Sequence, residues 1–209
     1  MYKVVVIGGG WSGCAAALAA RNAGAEVTLL EKTDLLLGLG NVGGIMRNNG
    51  RFTAAEENIA LGAGELFAVT DRCSRHINID FPGHKHASLY DVTMVEPNVR
   101  RLLREKGVDV KLMARAVDVV TRPVNRWQQE QQEITIEKIV LAGGEEIEGD
   151  VFVETTGSTG PCQQTTKNGT SVAITGFHPT PRRSLYKTEN NKMLYRIATD
   201  CRQKSILFL

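Results

Sequence analysis

Long apolar runs, paired cysteines and a marked excess of one charge are all missing from this chain, and each absence closes off a class of protein. No stretch approaches the roughly 20 apolar residues that a bilayer-spanning helix needs, so no membrane span is expected. Cys14, Cys73, Cys162 and Cys201 stand far apart and form no Cys-x-x-Cys. That spacing argues against a zinc site or a local redox pair, and a reducing cytoplasm suits such thiols best. A net charge of +2 points to no particular partner. The charge is unevenly spread, however: the body through Gly160 is slightly acidic and the stretch after it distinctly basic. His84-x-His86 could offer two imidazoles on one side of an extended chain, but it stands beside the Pro82-Gly83 turn and no further ligand spacing supports a site. No metal site is expected. Nor can a nucleophile–base pair, paired carboxylates or a dithiol be assigned, so the sequence identifies no catalytic residue.

What is present is concentrated near the N-terminus. An apolar strand (Val4 to Ile7) runs into Gly8, Gly10 and Gly13, then an alanine-rich helical segment, then a second apolar strand (Val27 to Leu30) closed by Glu31. The start superficially resembles a signal peptide, but Gly8 to Gly10 interrupt its apolar run. A lone Gly-x-Gly-x-x-Gly marks any glycine turn. A strand before it, a helix after it and an acid at the tip of the next strand are the context of a dinucleotide-binding fingerprint. In that reading Gly8 turns the chain tightly out of the strand, Gly10 admits a pyrophosphate where a Cβ would stand, and Gly13 lets the helix pack closely on the sheet. The helix aims its first N–H groups and its positive dipole end at the phosphates. Ala17 keeps the helix near the strands, and Gly24 serves as its C′ cap. Glu31 accepts hydrogen bonds from the adenosine ribose, and its charge disfavours a 2′-phosphate, so NADP is not the expected ligand.

With 209 residues, 42% of them apolar, the chain can make one domain, or one and part of a second. Strand, helix and strand are expected at about 3–7, 12–23 and 26–30. Residues 33–52 are too rich in glycine and asparagine for a simple connector, and they can run close against a flat ligand or form a surface loop. Thr53-Ala54-Ala55-Glu56 has the form of a capping box, opening a helix to about Arg72 that Gly62 and Gly64 weaken. Residues 75–93 read as a loop. A helix is expected from Pro97 to Lys106, stopped by Gly107. Strands follow at about 108–112, 115–121, 133–141 and 145–149, the last three as a small antiparallel meander with a solvated tip at Gln128–Glu133. A final apolar strand runs into Glu154-Thr155-Thr156-Gly157, whose small residues again let a ligand approach.

This order of parts resembles the FAD-dependent oxidoreductases of the glutathione-reductase-like superfamily. The resemblance rests on Gly8, Gly10, Gly13 and Glu31, on the meander, and on the strand ending Glu154-Thr155-Thr156-Gly157, which looks like the second flavin motif of that superfamily. The segment from Gly38 to Gly50 is similar to its flavin-side glycine loop. Among its branches the chain is most similar to uncharacterised bacterial FAD-dependent oxidoreductases related to the flavin proteins of tRNA modification.

The resemblance implies an α/β, Rossmann-like FAD-binding domain over residues 1–160, with a parallel sheet, helices and the meander. It implies an atypical basic tail, or the remnant of a substrate domain, over 161–209. It further implies that Gly8, Gly10, Trp11, Ser12 and Gly13 hold the pyrophosphate, that Glu31 binds the ribose, and that Lys32 flanks the adenosine. Val117 would meet the adenine through its backbone. Thr156 and Gly157 would lie near the diphosphate, with Gly43 and Gly44 beside the flavin. Arg47, Asn48 and Asn49 are candidates to touch substrate or the ring edge.

The expected function is therefore a cytoplasmic FAD-dependent oxidoreductase whose substrate, electron partner and oligomeric state the sequence does not name. The alternatives are an FAD-binding fragment without turnover, C-terminally truncated, and an NAD-binding Rossmann protein. For the basic tail, a solvated segment is expected rather than an RNA-binding arm.

Overall fold

A computed structural model of the chain describes residues 1–49, 55–77, 87–124 and 133–156, and a pair of two-residue strands beyond them. In chain order the elements are β1 (Lys3–Ile7), α1 (Trp11–Asn22), β2 (Glu26–Leu30), β3 (Arg47–Asn49), α2 (Ala55–Asn58), α3 (Gly64–Arg72), β4 (Ser74–Ile77), β5 (Ala87–Tyr90), α4 (Val92–Glu105), β6 (Asp109–Lys111), β7 (Ala116–Val124), β8 (Glu133–Leu141), β9 (Glu146–Glu148) and β10 (Val151–Glu154). The short strands Tyr186–Lys187 and Met193–Leu194 pair with each other.

The central sheet is parallel, in the order β10-β1-β2-β6. β1, β10 and the end of β2 are short continuous apolar runs because both faces are covered there, as parallel sheets require, whereas the edge strand β6 (Asp-Val-Lys) is only partly covered. Val4 and Val6 face one side with the buried residues of α1, α3 and α4, among them Leu18, Leu66, Val99 and Leu103. Val5, Ile7, Leu30 and Phe152 face the other, against Ile136, Ile139, Leu141 and Ile147. The latter cover is the antiparallel meander β7-β8-β9. The result is a three-layer α/β fold, and the expected strands at 3–7, 26–30, 133–141 and 145–149 all form within a residue or two.

Register matters most for the site. Ile7 lies beside Leu30 on one flank and Glu154 on the other. Gly8, Glu31 and Thr155, each the next residue of its strand, therefore leave the sheet together. β2 and β10 flank β1 on opposite sides, which makes the C-terminal end of β1 a topological switch point, the place where open α/β sheets bind ligands.

α1 ends as expected. Gly24 has φ 88°, its N–H donates to the Arg21 carbonyl, and that of Ala25 donates to the Ala20 carbonyl. Those two bonds make a Schellman motif, and the left-handed residue suits glycine.

Three expectations need correction. The helix expected from Pro97 begins at Val92, with Pro97 inside it. The Asp91 carboxylate caps its start by accepting from the Thr93 N–H at 2.9 Å. A proline one turn and a half in forfeits a single helical bond, which the cap and the buried face of Val95, Val99 and Leu103 outweigh. The helix expected over 53–72 is broken into α2 and α3 by a wide turn at Ile59–Ala63, where Gly62 takes φ 110°. Thr53 lies outside the described residues. The loop expected over 75–93 instead carries β4, β5 and the start of α4, with β3, β5 and β4 forming a second antiparallel sheet. His84, His86, most of the meander tip and the expected boundary at residue 160 lie outside the described residues. Among the described residues no helix is long and apolar enough to cross a membrane.

Candidate cofactor-binding site

The turn between β1 and α1 is shaped by what its glycines touch. Gly8 has φ 104°, and a Cβ on it would stand 2.7 Å from the Thr155 carbonyl oxygen. A Cβ on Gly13 would overlap the Gly8 carbonyl, so helix and turn meet at a distance only glycine permits. Gly10 is the opposite case: a Cβ there would meet no atom of the described residues, its chain neighbours aside, within 4 Å. Space, not crowding, lies over Gly10. α1 starts immediately after it, with no side-chain cap and no acidic residue in its first turn. The N–H groups of Trp11, Ser12 and Gly13 belong to that first turn, which has no intrahelical acceptors. Trp11 and Ser12 are half-buried and Gly13 is buried.

On the β2 side, Glu31 is buried. Its Oε2 accepts from the Gly9 N–H at 2.7 Å, and its Oε1 accepts from the Thr33 N–H and hydroxyl, each at 2.9 Å. The carboxylate thus ties the glycine turn to the chain leaving β2, and three bonds leave part of its acceptor capacity free. Lys32 is exposed. The chain leaving β6 runs alongside, with the Ala114 N–H donating to the Glu31 carbonyl and the Met113 N–H to the Thr33 carbonyl. This brings Val117 to the same end of the sheet. The register of β7 against β8 steps from Ala116 to Asp118, so Val117 is the extra residue of a β-bulge, outside the ladder.

On the β10 side, the Thr155 hydroxyl lies 2.7 Å from the Gly8 carbonyl and 2.9 Å from that of Ile7, and its N–H donates to Ile7. The Thr156 N–H donates to Glu154 at 3.0 Å. The Thr156 hydroxyl oxygen is buried and has no hydrogen-bond partner among the described residues. Gly157 lies outside them.

The segment after β2 folds back over the turn. The Leu37 N–H donates to the Gly9 carbonyl at 2.7 Å, and that of Leu36 to the buried Glu96, which is paired with Arg100. Residues 37–45 then close on themselves, with Gly40 bonded to Leu37, Gly43 to Gly38, Gly44 to Asn41 and Ile45 to Leu39. Gly43 is exposed, and a Cβ on it would stand 2.8 Å from the Leu39 Cα. Gly44 faces open space. Leu39, Val42 and Ile45 point outward and are all more than half exposed. Arg47 opens β3 and is exposed, and Asn48 and Asn49 follow it in the same strand.

Sequence reasoning missed Thr33, Glu96, Thr155 as a turn anchor, and Tyr90. The last two act through bonds to residues far away in sequence, for which no local pattern exists. Cys14 is fully buried, and burial pushes its thiol above its ordinary value. Among the described residues no cluster of His, Cys, Asp and Glu could hold a metal ion.

The residues present fit a dinucleotide. A cradle that a Cβ at Gly10 would fill, first-turn N–H groups without intrahelical acceptors, a buried acceptor at Glu31 and a Thr156 hydroxyl with no partner among the described residues surround one switch point. Residues 3–199 match the family model described as glucose inhibited division protein A. No curated protein matches the chain by sequence. Among solved structures the chain is similar to THI4 of Thermovibrio ammonificans, at 19% identity and a TM-score of 0.55, covering 80% of this chain and 62% of that one. It is also similar to CtdE, solved in complex with FAD and a substrate, at 14% identity and a TM-score of 0.53, covering 79% and 40%. At these identities the likeness is one of fold, and the chain spans less than two thirds of either protein.

Proposed function

The chain belongs to the glucose inhibited division protein A family, and from that premise we propose that it is an FAD-dependent oxidoreductase acting through a non-covalently bound flavin. The observation that carries this reading is the convergence of the second strand–turn, Glu154-Thr155-Thr156, on the glycine turn, with the Thr155 hydroxyl 2.7 Å from the Gly8 carbonyl. The second small-residue turn at this point and the meander over the sheet are the features by which the sequence resembles two-motif flavoproteins, and they support FAD over NAD here.

Gly8, Gly10, Trp11, Ser12 and Gly13 hold the pyrophosphate through main-chain N–H groups and the dipole of α1. Glu31 accepts from the ribose, Lys32 flanks the adenosine, and the bulged backbone of Val117 meets the adenine. The unpartnered hydroxyl of Thr156 donates toward the diphosphate, and Gly157 is expected beside it. The self-bonded loop carrying Gly43 and Gly44 would flank the flavin, its outward Leu39 and Val42 offering an apolar face. When bound, the flavin supplies hydride or electron transfer, and the protein supplies binding, orientation and electrostatics. Arg47, Asn48 and Asn49, next along the chain, are the candidates to touch a small-molecule substrate or electron donor. The free thiols of Cys14 and Cys73 suit a reducing compartment such as the cytoplasm. A nucleic-acid partner forms no part of this reading.

Purified protein should be yellow, bleach on addition of a reductant and recolour with turnover when an electron acceptor is supplied. Bound FAD without turnover would favour the alternative, a flavin-binding unit that lacks its substrate-binding part. A colourless protein with no affinity for FAD would overturn both readings.

A further inference from the structure

Tyr90 ends β5, far in sequence from the glycine turn, yet its hydroxyl is where the turn and the flavin-side loop meet. It accepts from the Trp11 indole N–H at 3.1 Å. It lies 2.9 Å from the Gly40 carbonyl and 3.1 Å from the Ile45 carbonyl. A phenol has one proton to donate, so these two carbonyls share it. The ring is buried and stands edge-on to Trp11, with centroids 5.5 Å apart. Trp11 is the first residue of α1, whose N-terminus faces the space over Gly10. Gly40 and Ile45 belong to the loop of residues 37–45, whose other main-chain bonds run largely within itself. Its entry is tied down through Leu36 and Leu37, by Glu96 and the Gly9 carbonyl. Its exit is held by the β3–β5 ladder and the Tyr90 N–H, which donates to the Met46 carbonyl at 3.2 Å, and the Tyr90 hydroxyl adds the side-chain bonds that reach back to Gly40 and Trp11. A Cβ on Gly40 would overlap the Trp11 indole, so loop and helix start are in direct contact at this point.

We propose that Tyr90 is a positioning residue for the cofactor: its hydroxyl locks the 37–45 loop against the start of α1, so that the phosphate-binding and flavin-facing parts of the site hold one fixed geometry. This rests on the FAD reading above. Tyr90 reaches the phosphate cradle only through the Trp11 side chain. It acts through Trp11, Gly40 and Ile45.

The test compares wild type, Tyr90→Phe, Trp11→Phe and the double variant by FAD titration, by the visible absorption bands of the bound flavin and by thermal melting without FAD. Phe keeps the ring and removes the hydroxyl, leaving the indole N–H and both carbonyls without their partner. Tyr90→Phe is expected to weaken FAD binding about tenfold or more and to shift the flavin bands. Trp11→Phe should weaken binding less, and the double variant should add little to Tyr90→Phe, since one hydroxyl mediates both effects. A lower melting temperature with unchanged affinity and bands would reduce Tyr90 to a core residue and overturn the proposal. Fully additive losses would overturn it too. If Tyr90→Phe fails to fold, Trp11→Phe decides: unchanged binding and bands there contradict the proposed link. Wild type that binds FAD while the variants behave like it defeats this inference alone, whereas wild type that binds none defeats the FAD reading with it.

Discussion

A Cβ on Gly10 would meet no atom of the described residues, its chain neighbours aside, within 4 Å, whereas one on Gly13 would overlap the Gly8 carbonyl. The two positions therefore separate ligand binding from folding. Gly10→Val places its side chain in the cradle and should abolish FAD binding, while the ligand-free protein keeps its stability to within about 0.5 kcal/mol. FAD titration and urea unfolding of the same preparation check both halves. Gly13→Ala should instead destabilise the ligand-free protein by about 1–3 kcal/mol, because helix and turn must move apart. Glu31 combines the two roles. Glu31→Ala removes the acceptor for the Gly9 N–H and for Thr33. It should cost on the order of 1–3 kcal/mol in the urea-measured stability of the ligand-free protein and weaken FAD binding as well. Loss of binding with no change in stability would show that the carboxylate serves the ligand alone.

The elements show where local sequence suffices and where it does not. β1, α1 and β2 were legible because apolar runs, glycines and an acid follow one another with no long-range help. The break at Ile59–Ala63 was legible as a weakness in Gly62 and Gly64, though not as a wide turn. The sheet of β3, β5 and β4 was not legible: its strands are three or four residues long, and they pair across stretches of chain that carry no alternating pattern. The start of α4 was misread because a proline outweighs a cap when only the sequence is in view. In the structure Asp91 accepts from both the N–H and the hydroxyl of Thr93 and pairs with Arg75. Those hydrogen bonds, the Thr93 hydroxyl first, hold its carboxyl down at about 2, below the ordinary 3.8. A lowered value means the folded chain favours the carboxylate. Its contribution is therefore complete above the ordinary value and is lost as the pH falls from there through about 2. Asp91→Asn keeps a capping oxygen but has no charge to lose. Its melting temperature should vary less with pH across that window than that of wild type. Identical pH profiles would show that the cap contributes nothing through its charge.

At the scale of the molecule, the order β10-β1-β2-β6 places Gly8 between Glu31 and Thr155. Gly8 and Glu31 stand out in the sequence for their own reasons and Thr155 only as part of the Glu154-Thr155-Thr156-Gly157 turn, and the parallel register brings all three to one sheet end. The glycines, the acid and the second threonine turn were legible because their chemistry is written in local residue types. The bonds that join them, Thr155 to Gly8, Leu37 to Gly9 and Tyr90 to Trp11, were not, since each couples side chains and backbone that only the folded sheet brings near. The central claim is that this switch point holds FAD. Calorimetric titration of the ligand-free protein with FAD, and separately with NAD, tests it most directly. One FAD bound per chain, more tightly than NAD, is the predicted result. NAD bound in preference to FAD, or neither bound, would contradict it.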